Sequence, residues 1–254
     1  MPVNKLSKDK RRQYKKANRE AHKEKLMQGE QEGRYGEVWV WSAIDPVSKY
    51  LFPDAIGSRT QQCGIEVLQT VRARRKNIHD LLLIQSDNFG SYESLIKTCF
   101  SQEVLQWKHK RNGEKIPVKI KMPDHILYAV LQKKRNQQGE IEEIDSRVVF
   151  GTPDKILQVL QAHNPTHGIN TSFIERLNLN RRLFNSRLRR KTLTFSKDYH
   201  CFKAQLNLQR VYANFCWSHH SLKKINHSPM SPAMAIGATQ RIWSLADILA
   251  YPLI

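Results

Sequence analysis

The chain has 254 residues, 40% of them hydrophobic, with 42 Lys and Arg against 23 Asp and Glu, a formal net charge of +19. At roughly 150 residues per domain, this length accommodates one large domain with appendages. The charge excludes an indifferent, charge-balanced fold and points to a polyanion, nucleic acid before a membrane surface, because phosphates neutralise such a field with release of counterions. The longest apolar run, Leu81 to Ile84, is far short of the roughly 18 residues a bilayer span requires, so no membrane partner is expected.

Residues 1 to 35 are expected to form a basic tail. The first 34 hold eleven Lys or Arg and five Asp or Glu, and show no apolar stripe that could bury a face. No apolar stretch with a small-residue cleavage site follows, so the expectation is an intracellular, cytoplasmic protein. Cys63, Cys99, Cys201 and Cys216 are scattered without a Cys-x-x-Cys pair, which reads as reduced thiols. The spacing of Cys216 from His219, His220 and His227 matches no standard zinc pattern.

A domain is expected over 36 to 215. Val38 to Ile44 is β-branched and aromatic and ends at Asp45-Pro46, a strand and a turn, and Lys49 to Ile56 is a second strand. Thr60 to Arg75 sets Ile65, Leu68 and Val71 at helical spacing. His79 to Gln85 is a short apolar strand running into Ser86-Asp87-Asn88, and its unbroken apolarity predicts burial on both faces in the middle of an α/β sheet. Ser91 to Phe100 reads as a helix. An insert around 101 to 150 is mixed and Lys-rich, with strands around Val118 and Leu127.

Lys155 to Ala162 again has helical spacing. From Ser172 to about Arg190 a long helix is expected, its core stripe formed by Phe173, Leu177, Leu179, Leu183, Phe184 and Leu188. Another helix runs from about Asp198 to Phe215, and 216 to 254 read as an extension packed on the domain. Trp217, beside Cys216, reads as core packing rather than as a base-stacking ring.

Two acids stand where chemistry could occur. Asp87 ends an apolar strand, the place where open α/β sheets bind ligands, although Asp is also a common helix cap. Glu175 lies near the start of the long helix with Arg176 beside it, and Arg182, seven residues on, projects from the same face. Such a Glu also serves commonly on a solvated charged face. From Arg176 to Arg210 there are ten basic residues, among them Arg181, Arg182, Arg187, Arg189, Arg190 and Lys191, and the single acid Asp198. That density suits phosphate contacts, which position a nucleic acid without reading its bases.

The segments VWVWSAIDPVSKYL, LIQSDNFGSY, GTPD, NTSFIERLNLNRRLFNSRLRRKTLTFSK, YANFCWSHHSL and SPAMAIGATQRIWSLADIL, in that order over about 36 to 249, resemble the DDE insertion-sequence transposases of the insertion sequence 1-like group. The resemblance implies an α/β, ribonuclease H-like mixed sheet flanked by helices. It also implies an acidic triad holding two magnesium ions, for which manganese substitutes. Asp87 would be the second acid and Glu175 the third, with Arg182 as the basic residue seven positions beyond. The implied partners are DNA, both transposon ends and target, and further copies of the chain when active; the implied location is the nucleoid.

The first acid is missing from its usual Asp-Glu-Leu-Trp-like setting, on a strand preceding the one that resembles Val38 to Ile44. Either Asp45 replaces it, or the chain is a remnant lacking that strand. In the second case Asp45 serves its own turn and the protein binds DNA without cleaving it. Two metal ions need shared carboxylates to hold them, so two acids alone bind the pair poorly. An RNA-binding factor is the third reading, and the Lys/Arg-Gly-Phe/Tyr signature of RNA-recognition modules is absent from the sequence.

Overall fold

A computed structural model describes residues 38–57, 60–109, 115–138, 140–163, 168–189 and 198–251, together with residues 13, 20, 194 and 196. The basic tail expected over residues 1 to 35 otherwise lies outside the described residues, as do Arg190 and Lys191. The architecture is mixed α/β: a three-stranded mixed sheet flanked by helices on both faces, with two separate two-stranded ladders among the described residues.

Strand β1 (Trp39–Trp41) pairs antiparallel with β2 (Ala55–Gly57). An isolated bridge joins Ile44 to Leu51. Helix α1 (Gln61–Ala73) leads to β3 (Leu82–Asp87), and α2 (Tyr92–Phe100) follows. Strands β4 (Gln102–His109) and β5 (Lys115–Lys121) form an antiparallel pair of their own. Strand β6 (Ile126–Arg135) lies parallel to β3 and antiparallel to β7 (Ile141–Phe150), so the sheet order is β3-β6-β7.

This order corrects one expectation. Among the described residues β3 pairs with β6 alone, and the strand buried on both faces is β6, whose residues Ile126 to Leu131 are all buried. The region read as an insert thus supplies the central strand. Its six-residue apolar run is the signal of a doubly covered strand, but it stands among Lys-rich segments that obscure it. Residues alternate between the two faces of the sheet. Ile84, Ile126, Tyr128 and Val130 meet Ile65 and Leu68 of α1 and Ile96, Cys99 and Phe100 of α2. On the other face Leu83, Leu127 and Ala129 meet Ile156, Val159 and Leu160 of α3 (Pro153–His163), along with Ile169.

The ladder β1-β2 is joined to the same layer by Trp41. Its ring packs edge-on against Phe89 and Tyr92, with centroids 6.0 and 5.8 Å away. Gly64 permits this approach, since a Cβ there would lie 2.6 Å from Leu95 Cδ1 and 3.1 Å from Trp41 Cζ3.

The long helix expected over 172 to 190 is α4 (Ser172–Phe184), and it stops short. Asn185 is buried, and its side-chain oxygen accepts from Arg187 N at 3.1 Å, opening a 3-10 turn over Ser186–Leu188. An Asn side chain that bonds nearby backbone competes with continuation of the helix. Helix α5 (Tyr199–Val211) packs Phe202 and Leu206 on Ile56. It passes into a π-helical turn, Tyr212–Cys216, and then into the short helices α6 (His220–Asn226), α7 (Pro232–Ala235) and α8 (Leu245–Ala250). After the π turn, Trp243 N donates to Phe215 O at 3.0 Å, and their rings lie 4.7 Å apart.

Candidate functional site

Asp87 is the last residue of β3 and is exposed. Helix α2 has Ser91 as its N-cap, four residues further on, so Asp87 is not the cap of that helix. The strand end is held firmly. Ser86 Oγ lies 2.8 Å from both Asp87 O and Tyr128 OH, and burial pushes the Tyr128 phenol above its ordinary range. Beyond it, Phe89 and Tyr92 stack edge-on at 5.6 Å and fix the turn.

Glu175 sits in the first turn of α4. The start of that helix is tied to β3, because Asn170 N donates to Gln85 Oε1 at 2.8 Å. Gln85 and Asp87 are two apart on the strand and share a face, and Asp87 is in register with Leu131 of β6. Lys133, two residues beyond Leu131, shares that face, and its Nζ donates to Glu175 Oε1 at 2.5 Å. Thr171 Oγ1 donates to the same oxygen at 2.7 Å. Asp87 and Glu175 are therefore served by one face of the β3-β6 pair, with a lysine ammonium on the glutamate.

Asp45 is committed elsewhere. Its carboxylate accepts from Val47 N and Ser48 N, each at 3.1 Å, and from Ser48 Oγ, the self-contained turn that Asp before Pro favours. Lys49 follows in the left-handed region, with φ 62°. Its ammonium lies 3.9 Å from the centre of the Phe173 ring, and burial lowers its pKa. Of the two readings of Asp45, the geometry matches the turn former.

The basic run divides in two. Arg176, Arg187 and Arg189 are exposed and Arg182 is half-buried. Arg181 is a correction: it is buried, its guanidinium donating to Asp54 Oδ1 at 2.9 Å and Oδ2 at 2.8 Å and to Ser42 Oγ at 2.6 Å. A guanidinium buried in such a bidentate pair is withdrawn from the surface where a phosphate would meet it. Asp54 escaped sequence reasoning because an acid between Pro53 and Ala55 carries no spacing signal. Arg210 lies near the pair, and burial lowers its pKa against the opposing pull of Asp54.

The stripe expected on α4 also needs correction. Leu179, Leu183 and Phe184 are exposed, and so is Trp217, which had read as core. Asn214 was missed as well. It is buried on the π turn, where its Nδ2 donates to Leu51 O and its Oδ1 accepts from Leu51 N, both at 2.9 Å.

These residues fit a pair of magnesium ions poorly. Lys133 already supplies Glu175 with positive charge, Asp45 is spent on its turn, and Asp54 is enclosed by Arg181. Among the described residues no three His, Cys, Asp or Glu gather into a metal-holding group. No helix among them is long and apolar enough to cross a membrane. Comparison with family models, curated proteins and solved structures finds no match to this chain.

Proposed function

We propose that the protein binds DNA through its phosphate backbone, on a ribonuclease H-like domain related to the insertion-sequence transposases, without cleaving the strand. The observation that carries the reading is the charge of residues 176 to 246, thirteen Lys or Arg against the one acid Asp198, with Arg176, Arg187 and Arg189 on the surface. Such a stretch repels itself unless a polyanion compensates it. The relation to transposases rests on the segments quoted above. It gains support from Asp87 and Glu175 meeting one face of a parallel strand pair. Among the described residues no ladder joins β1 to β3, and the resemblance implies a further strand beside β1. A protein of this charge bound to DNA resides on the nucleoid.

A catalytic reading, with two magnesium ions and several copies of the chain on transposon ends, is favoured by the shared face of Asp87 and Glu175. It is opposed by Lys133 and by the engagement of Asp45.

Two measurements separate the readings. Affinity for a duplex of arbitrary sequence should fall by roughly 10³-fold or more between about 50 and 200 mM salt, as expected for six or more phosphate contacts. Supercoiled plasmid with magnesium or manganese should show at most trace nicking, equal in Asp87→Ala. Binding indifferent to salt refutes the electrostatic reading. Robust nicking lost in Asp87→Ala restores the enzyme.

A further inference from the structure

The π turn at the end of α5 brings together residues that an α-helix would separate. Trp217 N donates to Tyr212 O at 3.1 Å, an i to i+5 bond. At 100° per residue, positions five apart on an α-helix would face about 140° away from one another. Here the two rings meet edge-on at 6.2 Å. Phe184, at the end of α4, also meets Trp217, its ring 6.1 Å away and tilted by 56°. All three remain open to solvent, Phe184 by 67%, Trp217 by 48% and Tyr212 by 37%. π turns recur at functional sites, and three exposed, mutually braced rings are not a core that failed to close.

The surroundings choose the occupant. Arg187 and Arg189 are exposed three and five residues beyond Phe184, and Lys223 and Lys224 are exposed on α6, just past Trp217. A second copy of a +19 chain would bring like charge to like charge. A polyanion that also offers flat apolar faces satisfies both features. Single-stranded DNA does so, because its unstacked bases can lie on aromatic rings while cations follow the backbone. The base faces of a duplex are already stacked.

We propose that Phe184, Trp217 and Tyr212 form a base-stacking platform for single-stranded DNA, flanked by a basic track. The inference rests on the DNA-binding reading above and adds to it the strandedness of the ligand and the residues that meet its bases.

The test uses the full chain with fluorescently labelled oligothymidine of roughly 16 nucleotides, the same length of abasic oligomer, and a duplex. Wild type should prefer oligothymidine to the abasic strand. Phe184→Ala, which removes an exposed ring and leaves the core intact, and Trp217→Ala should each weaken oligothymidine binding by roughly 5- to 150-fold, the range for loss of one stacked base. Duplex binding should stay within about twofold, and Trp217→Phe should restore most of the loss. The abasic strand should be indifferent to both alanine variants.

Equal weakening of single strand and duplex overturns the platform, as does no weakening at all. So does a wild-type dimer that Phe184→Ala converts to monomer, which would make the patch a self-association surface. Tighter binding of oligouridine than of oligothymidine overturns the choice of DNA. Failure to bind any nucleic acid at low salt defeats instead the reading on which the platform depends.

Discussion

Arg181 and Asp54 illustrate how a residue's role is set by what surrounds it. On a helix whose neighbours Arg176 and Arg182 reach solvent or its edge, Arg181 turns inward and links α4 to the chain just before β2 through two parallel hydrogen bonds. Removing one partner leaves an uncompensated buried charge, which typically costs about 3–5 kcal/mol. Asp54→Ala and Arg181→Met should each lower the unfolding free energy obtained from urea denaturation by that order. The double variant should recover a substantial part, because no lone charge remains. Additive losses in the double-mutant cycle would show that the two groups do not act as a pair. Lys133 and Glu175 form the contrasting case. Both are partly open to solvent, so their bond matters less to stability than to what else Glu175 can hold.

Elements meet where side chains permit it. Gly64 lies in α1 with no room for a Cβ between Leu95 and Trp41, so it sets the distance at which α1, α2 and β1 pack. Gly64→Ala gains helix propensity of about 1 kcal/mol but must displace Leu95 or Trp41, and overpacking a tight site costs about 1–3 kcal/mol. The expected result is a net loss of stability in chemical denaturation, with the quenching of Trp41 fluorescence altered at the same time. A stabilised Gly64→Ala would mean the helices slide apart freely. The same layer explains the rank of the strands. Helices cover both faces of β6, and β6 is accordingly the most apolar strand of its sheet.

For the molecule as a whole, +19 on 254 residues is a standing cost to the compact state. Screening shrinks from roughly 30 Å at 0.01 M to about 8 Å at 0.15 M salt. Sodium chloride over that interval should therefore raise the urea midpoint of the free protein, and bound DNA should raise it further by mass action. A midpoint that falls with added chloride would mean that attractive ion pairs outweigh the repulsion. The same charge makes a polyanion the natural complement of the surface formed by α4, the turn after it and the π turn.

Helices α1, α2, α3 and α5 were legible from apolar spacing, and the C-terminal end of β3 and the turn at Asp45 from local chemistry, because a 3.6-residue period, an apolar run or Asp before Pro acts within a few residues; the start of β3 at Leu82, three residues after the expected His79, was not. The basic run was legible for the same reason, since charge sums along the chain. Nothing local could show that Arg181 pairs with Asp54, 127 residues away, or that Lys133 reaches Glu175 across 42. Nor could it show that Leu179, Leu183, Phe184 and Trp217 face solvent despite their apolarity. Spacing places side chains on a face of an element, and only the packing of other elements decides whether that face is covered. The sequence by itself determined the charge, the helical periods and the acid at the strand end; tertiary structure alone decided the central place of β6, the buried arginine and the exposed rings, because each depends on contacts between segments far apart in the chain.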